Sequence, residues 1–334
     1  MPCSTESADR PPRAADIAAA ADRLAGQAVA TPLLESPLLN GRVGGRVLVK
    51  AEVLQRTGSF KFRGAYNRMS RIPADRRGTG VVAYSSGNHA LAVAAAARVL
   101  GMAATIVMPA DAPEIKRRGT AAWGATIVPF DRDRDDREAI AARIVADTGA
   151  TLVKPYDDPA IVAGQGTLGL ELAEQAAAAG ARPDAVLVPC GGGGLVAGVS
   201  LALATAMPGA PVYAVEPAGF DSTGRSLAAG RRVRVAPRTR SICDALLAPM
   251  PGAITYAINR RTLAGAMTVT DAAAMDAMAV AFETLKIVVE PGGAVALAAI
   301  LARRLDAAGK TVVAVCSGGN VDGGPFARAL TGGA

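Results

Sequence analysis

The chain has 334 residues, a formal net charge of +7, and 51% hydrophobic residues drawn mainly from Ala, Val and Leu, with only 4% aromatics. That length supports one large or two modest domains with real cores, and the composition favours helices packed on sheets over an all-β sandwich. The single histidine, His89, excludes a multi-histidine zinc centre, and the scattered arginines form no long basic run interleaved with aromatics, so no nucleic-acid partner is expected.

No apolar run is long and unbroken enough to span a bilayer, so no membrane partner is expected either. Residues 1–13 read as loose. They carry acidic residues and prolines without an apolar stretch, which argues against a signal peptide and for a cytoplasmic setting. Cys3, Cys190, Cys243 and Cys316 have no metal-ligand spacing. Cys190 and Cys316 close apolar runs, the pattern of buried free thiols in a reducing compartment.

In chain order, Ala14 to Ala28 reads as a helix, Thr31 to Leu34 as an extended segment, and Val47 to Glu52 as a strand. A turn at Gly58-Ser59 leads into a helix that runs to about Ser70. Strands then fall at 80–84, 104–108, 126–129 and 151–153, separated by helices starting near Asn88, Pro113 and Asp135. A second series has strands at 185–189, 212–216 and 311–316 and helices starting near Gly164, Gly193, Asp221, Asp271 and Pro291. Short apolar runs alternating with helices predict βαβ units and parallel sheets, here as two α/β lobes meeting at a cleft. Ligands in such folds bind beyond the carboxyl ends of the strands, so the loops there are where chemistry is expected.

The first of these segments is Thr57-Gly58-Ser59-Phe60-Lys61-Phe62-Arg63. A lysine in a chain whose basic residues are mostly arginine suggests a need for an amine, and a desolvated amine forms a Schiff base with an aldehyde. Taken alone, Lys61 reads better as a lysine whose stem packs on apolar neighbours while its head reaches water. Ser85-Ser86-Gly87-Asn88-His89 follows an apolar strand and opens a helix, where its hydroxyls and amide can bind a carboxylate or a planar ring; an ordinary helix cap is the plain alternative. Gly191-Gly192-Gly193-Gly194-Leu195 stands between a strand and a helix and can converge backbone N–H groups on a phosphate. It has neither a dinucleotide fingerprint nor the Lys-Ser/Thr of a P-loop. Glu290 precedes a proline-started helix, and Ser317 ends a strand with its hydroxyl aimed at the cleft. Amine, phosphate cradle, carboxylate loop and hydroxyl together match pyridoxal phosphate (PLP).

Six motifs in order, Ser59 to Ala65, Ser85 to Ala90, Ala163-Gly-Gln-Gly-Thr167, Gly191 to Leu195, Glu290-Pro-Gly-Gly-Ala294 and Ser317-Gly-Gly-Asn320, resemble the fold-type II PLP enzymes of the threonine dehydratase and serine racemase group, over roughly residues 14–330. The resemblance implies a two-lobed α/β fold like that of the tryptophan synthase β subunit, with parallel-rich twisted sheets and the active site between the lobes. It implies a large PLP-binding domain of residues 1–72 and 158–334, a small substrate-side domain of 73–157, and a homodimer. Lys61 would carry PLP as a Schiff base and act as the α-proton base. Phe60 would pack beside the ring, Asn88 would bond its phenolic oxygen, Gly191, Gly192, Gly193, Gly194 and Leu195 would hold the phosphate, and Ser317 would bond the pyridine nitrogen, with Glu290 near the ring. Ser85, Ser86, Gly87, Asn88 and His89 would bind the substrate carboxylate.

The reaction implied is loss of water from an L-β-hydroxy amino acid such as threonine or serine, giving a 2-oxo acid and ammonia. Ser86 occupies the position of the second acid/base in serine racemases and hydroxyaspartate dehydratases, so those activities are the alternative. Tyr156 stands where Asn or Phe is more usual, and Ala245 where glycine is common, which implies a reshaped substrate pocket. The divalent-cation position of the family falls at Glu216, with Ser222 at the later ligand position and Asp221 one residue early. No C-terminal regulatory domain is expected after the Ser317 loop. A dinucleotide-dependent oxidoreductase and a catalytically dead protein of the PLP fold are the competing readings.

Overall fold

A computed structural model describes residues 10–236 and 241–332. Cys3 and the first nine residues, expected to be loose, lie outside the described residues. The chain opens with α1 (Ala14–Leu24), β1 (Leu33–Glu35), α2 (Pro37–Val43), β2 (Arg46–Ala51) and α3 (Lys61–Ser70). Next come β3 (Val81–Tyr84), α4 (Asn88–Leu100), β4 (Ala104–Pro109), α5 (Glu114–Ala122), β5 (Thr126–Phe130), α6 (Arg137–Thr148) and β6 (Thr151–Leu152). The remainder is α7 (Pro159–Ala178), β7 (Ala185–Pro189), α8 (Gly194–Ala206), β8 (Val212–Pro217), α9 (Ser222–Ala229), α10 (Ala253–Thr262), β9 (Gly265–Val269), α11 (Asp271–Leu285), α12 (Pro291–Leu301), β10 (Thr311–Cys316) and α13 (Gly323–Thr331).

Two sheets result, and each with its helices forms a lobe. One has the order β5-β4-β3-β6 and is parallel throughout. The other has the order β1-β2-β10-β7-β8-β9 and is parallel except for β1, which pairs antiparallel with β2. In the smaller sheet the chain steps outward from β3 to β5 and then returns to the far side of β3 with β6. In the larger it steps from β7 to β9 and returns beside β7 with β10. Each reversal leaves a crevice beyond the strand ends, where the helices diverge to opposite faces. The crevices are bordered by the loops after β3 and β6 in one sheet and after β7 and β10 in the other, and the segment between β2 and α3 that carries Lys61 is bridged to the loop after β10.

Several expected boundaries move. The first helix ends at Leu24 rather than Ala28, and the helix expected near Gly164 begins at Pro159. Asp158 accepts from Ala160 N and Ile161 N, and Pro159 presets the first turn, so the start signal lies five residues upstream of the glycine. The Ala163-Gly-Gln-Gly-Thr167 motif is therefore mid-helix. Its glycines let backbones touch: a methyl on Gly164 would fall 2.6 Å from Gly64 Cα, and one on Gly198 of α8 would fall 2.5 Å from Val162 O. Helices α2, α10 and α13 and strand β9 are additions to the expected set. Helix α10 has no cap of its own; Asp157, nearly a hundred residues earlier, accepts from Ala253 N and Ile254 N.

Beneath the N-terminus of α3 lies a buried ionic cluster. Arg63 donates to Glu52 through Nε and Nη2, both at 2.8 Å, and to Glu171 through Nη1 at 2.6 Å. Lys50 adds a 2.8 Å pair to Glu171. Arg63 and Glu52 are both essentially inaccessible, so each charge depends on the other. Arg63→Met strands Glu52 without a cation and is expected to cost about 3–5 kcal/mol, read as a lower denaturant midpoint at unchanged slope. The cluster joins β2, α3 and α7, and so fixes the helix whose first residue is Lys61.

Candidate active site

Lys61 is the first residue of α3, and the residues before it are stitched to the loop after β10. Phe60 N donates to Ser317 O at 3.1 Å, and Ser59 bridges Gly318. Gln165 of α7 accepts from Gly64 N at 3.2 Å. The lysine thus leaves a braced helix terminus. Its Nζ donates to Pro155 O at 2.6 Å and lies 5.2 Å from the centroid of the Phe60 ring. Among the described residues no carboxylate pairs with it. Burial pushes its pKa down from 10.5 to about 8.

Lys61 opens into a cavity of about 160 Å³ that also receives Ser85, Ser86, Asn88, Gly191 to Leu195 and Ser317. All four strand-end loops therefore converge, as their sequence motifs suggested. Gly193 lies at φ +91° and precedes α8, so the loop turns its backbone toward the helix N-terminus. Thr255 Oγ1 holds the loop by donating to Gly192 O at 2.7 Å. Methyls on these glycines have no room: on Gly192 one would meet the Tyr156 ring at 2.4 Å. Tyr156 itself lines the cavity.

His89 is buried and donates from Nε2 to Val153 O at 2.9 Å, since a carbonyl can only accept. Burial pushes its pKa down to about 3 and the nearby Lys61 adds to the shift, so the ring is neutral and its Nδ1 is an unpartnered acceptor. Glu290 is buried behind Asn88 rather than on the cavity wall: one oxygen accepts from Asn88 Nδ2, and the other pairs with Lys116 at 2.8 Å. Glu216 does not line the cavity. Its oxygens accept from Thr223 N and Gly224 N, both at 2.8 Å, capping α9. Among the described residues no group of three or more His, Cys, Asp or Glu side chains could hold a metal ion.

Three cationic cavity residues were not singled out from the sequence. Arg132 lines the cavity and pairs with Asp111 at 2.6 Å. Arg137, at the start of α6, stacks its guanidinium 5.3 Å from the centroid of the Tyr84 ring, so its charge is held at the cavity by an aromatic face rather than a carboxylate. Lys116 comes from α5. The arginines sit in or beside the run Asp131-Arg-Asp-Arg-Asp-Asp-Arg137, which reads as a solvated surface. Lys116 precedes Arg117-Arg118 and is hidden the same way, although the rarity of lysine in this chain was a usable signal.

An enclosed amine of lowered pKa facing a helix-terminal glycine cradle defines an enzyme that binds a phosphorylated aldehyde cofactor between two α/β lobes. The cradle, which side chains would fill, and the amine, which has no counter-ion, fit pyridoxal phosphate. A family model described as pyridoxal-phosphate dependent enzyme matches residues 25–318. The L-threo-3-hydroxyaspartate ammonia-lyase of Saccharomyces cerevisiae is 39% identical over 96% of this chain and 97% of its own. The L-threonine ammonia-lyase of Thermotoga maritima is 40% identical over 87% of this chain and 71% of its own. Maize serine racemase superposes with a TM-score of 0.89 at 36% identity, covering 96% of this chain and 97% of its own. The chain belongs to the pyridoxal-phosphate-dependent enzyme family and has the fold-type II architecture of these relatives.

Proposed function

We propose that the protein is an ammonia-lyase that removes water from an L-β-hydroxy amino acid and releases a 2-oxo acid and ammonia, with a β-hydroxy amino acid bearing a second carboxylate as its preferred substrate. The observation that carries the reading is Lys61, an amine of lowered pKa enclosed opposite the Gly191–Gly194 cradle. Bound pyridoxal phosphate supplies an electron sink that acidifies the substrate α-proton. Lys61 is the group that holds the cofactor and moves that proton. Phe60 flanks the lysine, Asn88 and Ser317 face the ring, Gly191 to Leu195 take the phosphate, and Ser85 to His89 take the α-carboxylate. The His89 ring is neutral and spends its one N–H on Val153 O, so it gives that carboxylate no hydrogen bond and is not an acid.

Arg137 supports the acidic substrate. A cation held at the cavity by Tyr84 gains most from an anionic side chain, and relatives named for hydroxyaspartate are among those similar over nearly the whole chain. Threonine and serine are poorer substrates on this reading. Racemisation is the second reading, favoured by Ser86, a second hydroxyl in the same cavity as Lys61. Residues 73–157 form the small substrate-side domain and 1–72 with 158–334 the large one, a division that follows the two sheets. The protein works as a homodimer in the cytoplasm. Free buried Cys190, Cys243 and Cys316 suit a reducing compartment, and Phe282 and Val288, exposed apolar residues, suit a subunit interface. No helix of the described chain is long and apolar enough to cross a membrane.

The test is 2-oxo acid release from L-threo-3-hydroxyaspartate, L-threonine and L-serine, with the chirality of the recovered amino acid. Arg137→Met is expected to lower kcat/KM for hydroxyaspartate about 10- to 100-fold, the worth of one charge-assisted bond, while leaving serine within a few-fold. Equal losses on both substrates would refute the acidic preference. Release of no 2-oxo acid from any of the three would refute the lyase.

A further inference from the structure

The whole chain holds six lysines, and besides Lys61 two have buried charges, Lys50 and Lys116. Lys50 belongs to the Arg63 cluster. Lys116 has no part in the chemistry above, yet it is 1% exposed and reaches from α5 in one lobe to the other. Its Nζ lies 2.8 Å and 3.1 Å from the two oxygens of Asp244 and 2.8 Å from Glu290. The stem runs against Gly87 in the loop after β3, where a methyl would fall 2.4 Å from Lys116 Cδ. The other oxygen of Glu290 accepts from Asn88 Nδ2. Asn88 Oδ1 accepts from Asn320 Nδ2 at 2.8 Å, and Asn320 Nδ2 also donates to Thr57 O at 2.9 Å. An unbroken chain of contacts therefore runs from α5 through the cavity wall to the turn before Lys61.

Two carboxylates share this one ammonium, and no other lysine or arginine forms an ion pair with either among the described residues. Without it Glu290 has no cation, and a buried carboxylate in that state takes up a proton or shifts. Either change alters what the Asn88 amide is bonded to. The amide must keep Nδ2 on Glu290 and Oδ1 on Asn320 for its orientation in the cavity to be unique.

We propose that Lys116 is a positioning residue for the reaction, holding Glu290 as the carboxylate that orients Asn88 and tying the two lobes together across the cofactor cavity. The inference rests on the reading of Asn88 as a cofactor contact. It assigns Lys116 no contact with the substrate.

The test uses the full chain loaded with pyridoxal phosphate. Lys116→Met keeps the stem and removes the charge. It is expected to lower kcat on the order of 100-fold, the usual consequence of a slightly misplaced contact, to change KM far less, and to shift the visible absorption band of the bound cofactor. Lys116→Met/Glu290→Gln removes both buried charges and leaves an amide oxygen for Asn88. It is expected to restore the band and to recover about 10-fold of kcat, a non-additive result. A lowered unfolding midpoint with unchanged band and unchanged kcat would overturn the proposal, because a purely structural lysine predicts that outcome. A double variant as impaired as the single one would overturn it too; if Lys116→Met alone fails to fold, the double variant is read against the unaltered enzyme, and a folded double variant whose cofactor band stays displaced would overturn the proposal. The lyase reading fails separately: if the unaltered enzyme releases no 2-oxo acid from any β-hydroxy amino acid, that reading is wrong whatever Lys116 does.

Discussion

Lys61→Ala is expected to fold, to bind pyridoxal phosphate only reversibly, and to lose turnover on the order of 10⁴-fold or more, because one residue supplies both the covalent anchor and the α-proton base. Folding survives because the braces of α3 do not pass through this side chain. They are the Arg63–Glu52 pair, the Gln165 bond to Gly64 N and the Phe60 bond to Ser317 O. Lys61→Arg keeps a cation but supplies no nucleophilic amine, and it is expected to be as inactive as the alanine variant. Borohydride reduction followed by mass measurement reads the covalent link directly; a labelled residue other than 61 would end the assignment.

The same lysine predicts a pH dependence. Condensation with an aldehyde needs the neutral amine. Burial lowers the pKa from 10.5 to about 8, so capture of cofactor by the apoprotein should rise with pH and level off above about 8. An exposed lysine would rise through about 10.5 instead. The stability consequence has a definite sign. Between about 8 and 10.5 the folded chain has released a proton that the unfolded chain still holds, so the apoprotein becomes more stable as pH rises through that window. Below about 8 the buried ammonium is a standing penalty. Stopped-flow capture rates and denaturant midpoints across this range check both statements.

Central strands were legible in the sequence because they are buried on both faces and appear as unbroken apolar runs. The spans 185–189 and 311–316 coincide with β7 and β10. Their loops were legible because chemistry there needs rare residues, an amine among arginines and four successive glycines. Elements whose signals come from elsewhere in the chain were not. Helix α10 takes its cap from Asp157, nearly a hundred residues earlier. A local reading of that segment has no carboxylate to find. Strand β9, Gly-Ala-Met-Thr-Val at the sheet edge, carries little apolar pattern and is defined by its pairing with β8. The site shows the same division. Groups on strand-end loops could be read in order, whereas Arg137 and Lys116 gain meaning only from what lies across the cavity: a tyrosine ring in one case, two carboxylates in the other.

The phosphate cradle gives the second large expectation. Gly193→Ala should weaken pyridoxal phosphate binding about 10- to 100-fold, the result of strain and steric contact at the same atom. At φ +91° an L side chain costs about 1–2 kcal/mol before any contact is counted. The new methyl would also lie 2.8 Å from Asn259 Nδ2 and 3.0 Å from Thr255 Oγ1, the hydroxyl that holds Gly192 O. Relief by moving Thr255 would release the loop, and relief by moving the backbone would turn N–H groups away from the phosphate. Gly78→Ala is the control, since a methyl there meets nothing within 4 Å and Gly78 has no positive φ. Titration of the apoprotein with pyridoxal phosphate and with pyridoxal separates the causes. If the loop holds the phosphate, Gly193→Ala weakens the phosphorylated aldehyde and leaves weak pyridoxal binding nearly unchanged. Equal losses for both would place the defect in the lysine pocket rather than the cradle, because only the phosphorylated ligand has a group for those N–H donors to bind.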